Sequence, residues 1–404
     1  AKFEVGQHTF RHWFDGLGML HRFTFKDGFV SYANKFLHSR DYRESTSQGK
    51  ITMAGFATDP CRSIFKRVFS LFFRQPFTDN CNVNVARIAD HYIAMTETPL
   101  PIEFDPHTLK TLGVFDYGKD KMSGAITTAH PHFDFERSLT INYIVELSRI
   151  SKYKVYCIPA GKLERELLGV VPVREPAYMH SFGMTENYVI LAEFPLVVNP
   201  LRLLLAGKPF IENYQWQPGR GTRFILVNKR DGSVRSYNSE AFFAFHHVNA
   251  FEKGGHIFVD IAAYTDSSII EALYLQRLCA GDPVPRAELR RYRLPANGAT
   301  ADYELLATES IELPRINYRL SNARDYRYAY GISSRQDRPT DFPNQLVKVD
   351  VRERSSKVWW QENCYPGEPV FVPAPHSAAE DEGVVLSIVL NAAEGNSFLL
   401  VLDA

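Results

Sequence analysis

The sequence predicts an all-β protein that folds as one domain over residues 1–404. Two Asp-Gly turns, Asp27-Gly28 and Asp231-Gly232, each lie between runs rich in Val, Ile, Tyr and Phe. Such turns predict β-hairpins over Arg22–Leu37 and Arg223–Tyr237. Helical patterns are few, and no Ser/Gly linker or low-complexity segment divides the chain. A β-propeller is the natural architecture, because it holds many short strands in one chain without long exposed edges.

Pattern analysis also places the remaining strands and helices. Runs of β-branched and aromatic residues predict strand segments at Tyr188–Phe194, Ile257–Tyr264, Val347–Trp360 and Val384–Val401. Helical spacing of apolar residues predicts three helices, at Arg62–Phe73, Leu163–Leu168 and Ile269–Leu278. Strands therefore dominate the predicted structure.

The composition limits the classes of partner. The chain has 46 Lys and Arg residues and 46 Asp and Glu residues, so its formal net charge is zero. A general nucleic-acid binder normally has a basic excess, so no nucleic-acid partner is expected. Aromatic residues make up 13% of the chain, including 29 Phe and 20 Tyr. Such rings suit a pocket or tunnel for an extended apolar ligand, and an ordinary β-rich core would also account for them.

Cysteine usage and apolar segments favour a cytoplasmic protein. Five cysteines are scattered without a Cys-x-x-Cys pair, and no Asn-x-Ser/Thr sequon occurs. An odd, scattered set does not indicate a disulfide framework, which fits a reducing compartment. The most apolar stretch, Phe194–Gly207, is interrupted by Asn199, Pro200 and Arg202 and is too short to span a bilayer.

Common catalytic motifs are absent from the chain. It contains no His-Glu-x-x-His, no Walker P-loop and no Gly-x-Ser-x-Gly sequence. Gly16-Leu17-Gly18 lacks the third glycine of a dinucleotide loop. Zinc peptidases, nucleotide hydrolases, α/β-hydrolases and Rossmann enzymes are therefore disfavoured.

Three histidines are candidate metal ligands. His130, His180 and His246 are separated by 50 and 66 residues, which no local metal-binding loop has. A propeller can bring residues from separate blades to its axis, and an all-imidazole site would suit Fe(II) with open positions for O2. The alternative for each is an ordinary loop or core histidine.

Three glutamates are candidate partners for such histidines. A metal-bound imidazole usually donates its second N–H, often to a carboxylate. Glu97, Glu312 and Glu368 lie in apolar or turn settings where a plain surface role is less natural. Each could instead be a structural or surface carboxylate.

The sequence resembles the carotenoid cleavage oxygenases, a family that includes the β-carotene oxygenases and the retinoid isomerase of the eye. The matching motifs span nearly the whole chain in the family's order. They are His12-Trp13-Phe14-Asp15-Gly16, Phe77-Thr78-Asp79-Asn80, Thr96-Glu97-Thr98, His130-Pro131-His132, His180-Ser181-Phe182, Phe245-His246-His247-Val248-Asn249, Glu312-Leu313-Pro314 and Tyr365-Pro366-Gly367-Glu368-Pro369.

This resemblance implies a seven-bladed β-propeller capped by loops and short helices, with Fe(II) on its axis held by four histidines. His130, His180 and His246 match three of the ligands, whereas His132 and His247 match their neighbours. Glu97, Glu312 and Glu368 match the carboxylates that hold ligand histidines. Thr96 matches a position near the open side of the iron.

The fourth histidine of the family lies close to its C-terminus, in a segment similar to Phe-His-Gly. This sequence ends at Ala404, within what resembles the preceding strand, so the fourth ligand is expected beyond residue 404 and the chain is expected to be truncated. His376, the last histidine, is expected in a turn before the strand near Val384.

Two segments are candidate membrane contacts. In Cys61–Phe73 a basic stripe that includes Arg62 and Lys66 runs beside bulky apolar residues, the pattern of an interfacial helix. Pro200–Leu205 is a second apolar patch. The residues expected to contact lipid are Arg62, Lys66, Phe69, Phe72, Phe73, Leu201, Leu203 and Leu204. The alternative for each segment is a packed cap helix, and the family's membrane docking favours peripheral membrane association.

The sequence thus predicts a non-haem Fe(II) dioxygenase that cleaves one conjugated double bond of a carotenoid or apocarotenoid with O2, giving aldehyde or ketone products such as retinal. Cleavage of a stilbenoid and isomerisation of a retinoid on the same scaffold are alternatives. A non-catalytic protein that binds an apolar ligand is a third. The sequence does not indicate an oligomeric state.

Overall fold

Antiparallel hairpins dominate the fold, as the sequence predicts. The computed structural model describes residues 2–59, 78–205, 208–337 and 342–404. These form two units, one of Ala1–Pro176 with Val197–Gln215 and one of Ala177–Leu196 with Trp216–Ala404. No helix in the described ranges is long and apolar enough to cross a membrane.

The first unit begins with two hairpins and a helix. They are β1 (Glu4–Val5) with β2 (His8–Thr9), β3 (Met19–Lys26) with β4 (Phe29–Phe36), and α1 (Arg40–Gln48), with a 3-10 turn at Trp13–Asp15. Asp27 and Gly28 take positive φ values of 50° and 78°, which confirms the predicted Asp-Gly turn. The sequence did not predict α1, although Ser39 caps its N-terminus and Gly49, at φ 62°, ends it.

Two larger sheets follow in the described residues of the first unit. One contains β5 (Asn84–Ile88), β6 (His91–Met95), β7 (Ile102–Phe104) and β8 (Thr111–Val114). The other contains β9 (Ile126–Thr127), β10 (His132–Asp134), β11 (Leu139–Glu146), β12 (Ser151–Pro159) and β13 (Glu166–Val173).

The helix predicted over Leu163–Leu168 is wrong. The segment leads into β13, which pairs antiparallel with β12. Arg165 anchors it as extended chain, because the buried guanidinium bonds Asp120 at 2.5 Å and the Met122 carbonyl at 2.7 Å. A buried ion pair with a distant carboxylate outweighs a short apolar spacing that also fits a helix.

The described residues of the second unit form four sheets of four strands each. The first sheet contains β14 (Gly183–Met184), β15 (Tyr188–Glu193), β18 (Thr222–Asn228) and β19 (Val234–Ser239), and the second contains β20 (Phe243–Lys253), β21 (His256–Tyr264), β22 (Glu288–Leu294) and β23 (Asp302–Leu305). The third sheet contains β24 (Glu312–Arg315), β25 (Tyr328–Ser333), β26 (Gln345–Asp350) and β27 (Ser355–Trp360). The fourth contains β28 (Cys364–Pro366), β29 (Val370–Pro373), β30 (Gly383–Asn391) and β31 (Asn396–Asp403). The strand segments predicted at Tyr188–Phe194 and Ile257–Tyr264 and the Asp231-Gly232 hairpin are confirmed. The segments predicted at Val347–Trp360 and Val384–Val401 each form two strands joined by a turn. His376 lies in a turn with φ 63°, as expected.

The remaining elements are short. They are β16 (Leu196–Val197), α2 (Pro200–Leu205), β17 (Gln215–Trp216), α3 (Ser268–Ala272), α4 (Leu275–Ala280), α5 (Tyr318–Ser321) and 3-10 turns at Ile211–Asn213 and Pro218–Arg220. The single helix predicted over Ile269–Leu278 is two helices, because Tyr274 between them is extended, with ψ 132°. The predicted helix over Arg62–Phe73 lies outside the described residues.

Six sheets in the described residues have four or more strands, compared with the seven blades that the family resemblance implies. Each is antiparallel and built mainly from neighbouring segments of chain, as propeller blades are. The β3–β4 hairpin forms a two-stranded sheet.

Candidate functional site

Two of the predicted site residues, His130 and Glu368, lie where the first strand of a sheet is interrupted. β9 and β10 both pair with β11 and are separated by residues 128–131, which include His130 and Pro131. β28 and β29 both pair with β30 and are separated by residues 367–369, which include Glu368 and Pro369. Because proline has no N–H for the ladder, each Pro ends regular pairing beside a site residue.

The other sheets of the second unit show related irregularities. The pairing of β24 shifts register between Glu312 and Arg315, where Leu313 takes φ 47° and Pro314 follows. The pairing of β20 shifts register around His246. His180 lies three residues before β14. These side chains are thereby released from strict in-and-out alternation.

His180, His246 and Glu312 form the best-defined part of the site. The two imidazole rings are perpendicular, with centroids 5.1 Å apart. Nδ1 of His246 lies 2.5 Å from Oε2 of Glu312, and both side chains are largely buried. A carboxylate on Nδ1 fixes the Nδ1–H tautomer, so Nε2 is the nitrogen of His246 that would ligate a metal. Orientation of a ligand histidine, the role predicted for Glu312, requires this hydrogen bond.

His180 is held by neighbouring aromatic groups. The hydroxyl of Tyr178 lies 3.3 Å from Nδ1 of His180, and the ring of Phe245 contacts the imidazole edge-on at 5.7 Å. His180 is only 5% exposed. Tyr178 was not predicted from the sequence, although it lies only two residues before His180.

A group of three histidines fits a metal site. Ligand nitrogens of His130, His180 and His246 lie within 4.8 Å of one another, the one such His, Cys, Asp or Glu group found in the described ranges. Three imidazoles are a donor set that suits divalent first-row metals, including iron. His132 and His247, the second histidine of each pair, are not members of the group.

Glu97 and Thr96 follow β6. Thr96 is buried, and the Glu97 carbonyl accepts a hydrogen bond from the Thr127 amide at 2.9 Å. Burial raises the pKa of the Tyr143 and Tyr214 hydroxyls, and the negative charge of Glu97 raises both further. The Glu97 carboxylate therefore lies near two buried phenols in the first unit.

Glu368 has an ion-pair partner that the sequence analysis did not identify. Its Oε1 lies 2.5 Å from Nη2 of Arg315, and the two side chains are equally exposed at 37%. Arg315 is the residue at which β24 resumes regular pairing after its register shift. The predicted role of Glu368 as partner of a ligand histidine stays a prediction.

Only part of the predicted membrane contact can be described. Five of the predicted contacts lie outside the described residues, namely Arg62, Lys66, Phe69, Phe72 and Phe73. The side chain of Leu204 also lies outside them. On α2, Leu201 is 61% exposed and Leu203 is half-buried.

Comparisons with known proteins identify the family. The model of the family described as retinal pigment epithelial membrane protein (RPE65) matches residues 1–404. The mitochondrial carotenoid-cleaving dioxygenase of Macaca fascicularis is 34% identical, over 100% of this chain and 84% of that protein. The carotenoid isomerooxygenase of Galleria mellonella is 35% identical, over 99% of this chain and 83% of that protein. The chain belongs to this family, so the resemblance to the carotenoid cleavage oxygenases is confirmed.

The fold has solved counterparts. Cobalt-substituted Synechocystis ACO, an apocarotenoid oxygenase, has a TM-score of 0.88 to this chain at 26% identity, over 99% of this chain and 84% of that one. This likeness confirms the predicted all-β propeller.

Proposed function

We propose that this protein is a non-haem Fe(II) dioxygenase that cleaves a conjugated double bond of a carotenoid or apocarotenoid. The observation that carries the proposal is the group of His130, His180 and His246 in a member of this family. Carotenoid cleavage is the activity in the name of the Macaca relative, which matches the whole chain. The proposed products are aldehydes or ketones.

The three histidines would hold the metal, and the glutamates would orient them. Glu312 accepts a hydrogen bond from the Nδ1–H group of His246 and thereby fixes the orientation of the imidazole ring. Glu97 and Glu368 are proposed to serve other ligand histidines, and Thr96 is proposed to lie near the open side of the metal. Bound Fe(II) with open coordination positions would supply the activation of O2.

Aromatic rings of the first unit suggest where the substrate lies. Successive ring contacts join Phe14 to Phe56 at 5.3 Å, Phe56 to Phe210 at 6.2 Å and Phe210 to Tyr214 at 5.2 Å. Tyr214 is one of the two buried phenols whose pKa is raised by the negative charge of Glu97. A row of rings ending beside a site carboxylate suits a long, flat, apolar polyene. We propose that this row forms one wall of the substrate tunnel.

Membrane association is proposed to be peripheral and cytoplasmic. Leu201 exposes 61% of its surface on α2, within the apolar segment Pro200–Leu205, so its side chain is accessible to a lipid surface. A carotenoid resides in lipid, so docking would let it enter without crossing water. Cys61–Phe73 is the second segment proposed to dock.

The β3–β4 hairpin is proposed to belong to a seventh blade. Leu20 of β3 and Leu37, which follows β4, pack in one core cluster with Ile102 and Phe104 of β7. The hairpin thus lies against the β5–β8 sheet in the manner of a neighbouring blade.

Isomerisation is the second candidate activity. The Galleria relative is named a carotenoid isomerooxygenase, a name that combines isomerisation with oxygenation. Chromatography of the products separates these activities, because cleavage alone preserves the double-bond geometry of the substrate. Stilbenoid cleavage would be identified by the same assay with a stilbenoid substrate, and a non-catalytic binding protein would give no product.

The direct test combines metal analysis with product analysis. Purified wild-type protein is expected to contain iron and to convert a carotenoid or apocarotenoid into two carbonyl products. His246→Ala should lose both properties, whereas His91→Ala should keep them. His91 is a suitable control because its Nδ1 also bonds a glutamate, Glu103, at 2.6 Å outside the site. Iron-loaded wild-type protein that cleaves none of these substrates would overturn the proposal.

A further inference from the structure

β20 is irregular where it presents His246. Ala244 pairs with Ala263 of β21, and the next pair is His247 with Ile261. Phe245 and His246 therefore lie opposite the single residue Ala262. Such a bulge removes backbone N–H and C=O groups from the ladder, and buried groups of this kind require other partners.

The Ser181 hydroxyl supplies these partners. Its Oγ donates to the Phe245 carbonyl at 2.7 Å and accepts from the His247 amide at 2.9 Å. It also lies 2.9 Å from Nδ1 of His247. A hydroxyl has one proton and two lone pairs, and its proton is used by the Phe245 carbonyl. Nδ1 of His247 must therefore be protonated and donate a hydrogen bond to Oγ of Ser181.

These bonds connect the two segments that hold His180 and His246. Ser181 follows His180 directly, while Phe245 and His247 flank His246. The ring of Phe245 also packs on His180. Ser181 is 5% exposed, so water cannot readily replace its hydroxyl.

We propose that Ser181 is a positioning residue for the metal centre: its hydroxyl holds the bulge of β20 against the His180 segment and so fixes the spacing of two ligand imidazoles. This inference rests on the proposed function, because it assumes that His180 and His246 bind the metal. The distance between the ligands then depends on three hydrogen bonds to one oxygen atom. Losing them is expected to weaken metal binding about as much as losing a direct partner of a ligand, roughly 10- to 100-fold.

The test uses Ser181→Ala with Ser151→Ala as its matched control. Ser151 is also buried, and its hydroxyl likewise bonds a backbone carbonyl and a backbone amide, both of Ser148. Co(II) is the probe, and the readouts are its dissociation constant and its visible absorption spectrum. Ser181→Ala should weaken Co(II) binding at least about tenfold and shift the spectrum, whereas Ser151→Ala should match the wild type.

A second pair of variants keeps the proposal testable if Ser181→Ala fails to fold. The amide of Asn can place a donor where Nδ1 of His247 lies, whereas that of Gln reaches further. His247→Asn should therefore preserve the Co(II) spectrum, and His247→Gln should alter it. Wild-type protein that binds no Co(II) would contradict the proposed metal site itself. Wild-type binding that is unchanged in Ser181→Ala, or in both His247 variants when Ser181→Ala does not fold, would overturn the role of Ser181.

Discussion

Replacing Glu312 with Gln removes the negative charge of the carboxylate that contacts the His246 imidazole while leaving a side chain of nearly the same shape. The carboxylate lies 2.5 Å from Nδ1 of His246 and also accepts the Leu313 amide at 2.8 Å. Leu313 takes φ 47°, a conformation that L-residues adopt with strain. Glu312 therefore supports both the ligand and the turn beside it. A Gln carbonyl keeps one acceptor for these donors but no negative charge.

The magnitude follows from the contact and its burial. Loss of such a partner typically lowers metal affinity about 10- to 100-fold, or about 1.4–2.8 kcal/mol. Both side chains are at most 15% exposed, so solvent screens the pair weakly. Since Gln retains an acceptor, the loss of metal affinity in Glu312→Gln should lie near the lower end of that range. The loss in Glu312→Ala should lie near the upper end, because this variant also leaves the Leu313 amide without its acceptor.

The assay is competition for Co(II) with a chromophoric chelator, with Glu103→Gln as the control. Glu103 bonds Nδ1 of His91 at 2.6 Å, so the same chemical change is made outside the site. Glu103→Gln should leave Co(II) affinity within error of the wild type. Equal losses of Co(II) affinity in Glu312→Gln and Glu103→Gln, or no loss in Glu312→Gln and Glu312→Ala, would show that Glu312 does not support a metal ligand.

Three further predictions concern stability, pH and membrane binding. Arg291→Met should lower the free energy of unfolding, measured in urea, by about 3–5 kcal/mol, because it leaves the buried carboxylate of Asp260 without its cation. Arg291 bonds this carboxylate at 2.8 and 2.7 Å. A loss of stability below about 1 kcal/mol would contradict the prediction. Burial raises the pKa of Asp15 from an ordinary value of 3.8 to about 6, so its contribution to stability is full below pH 3.8 and lost as the pH rises through 6. The unfolding free energy of the wild type relative to Asp15→Asn should therefore fall by about 3 kcal/mol over this interval, and a flat difference would remove Asp15 as the cause. Leu201→Glu should reduce co-sedimentation with anionic vesicles about tenfold or more, since one buried leucine contributes about 1.5–3 kcal/mol. Leu167→Glu, at a similarly exposed leucine of β13, should bind as the wild type does, and equal binding by both variants would exclude docking through Leu201.

The hairpins were predictable because their signals are local. Asp27-Gly28 and Asp231-Gly232 each form a turn between strands, as short-range turn chemistry requires. The helix prediction over Leu163–Leu168 was wrong for the opposite reason. Its conformation depends on Asp120, 45 residues from Arg165 along the chain, and a local apolar pattern carries no information about that contact.

The site was predictable as a set of residues but not as an arrangement. The motifs identified Glu312 and His246, yet only the structure pairs them, since they are 66 residues apart. Glu368 was expected beside a histidine, and the structure places Arg315 at its carboxylate. The bulge of β20 could not be foreseen, because no proline or glycine marks it in the sequence. Proline would have been a usable signal for the breaks beside His130 and Glu368, where it ends ladder pairing.

An anomalous difference map at the iron absorption edge, from crystals of the wild-type protein, would show directly whether the three histidines hold iron. We expect one peak, about 2.1 Å from an imidazole nitrogen of each of His130, His180 and His246, the usual length of a metal–imidazole bond. Iron bound elsewhere, or by His132 or His247 instead, would contradict it.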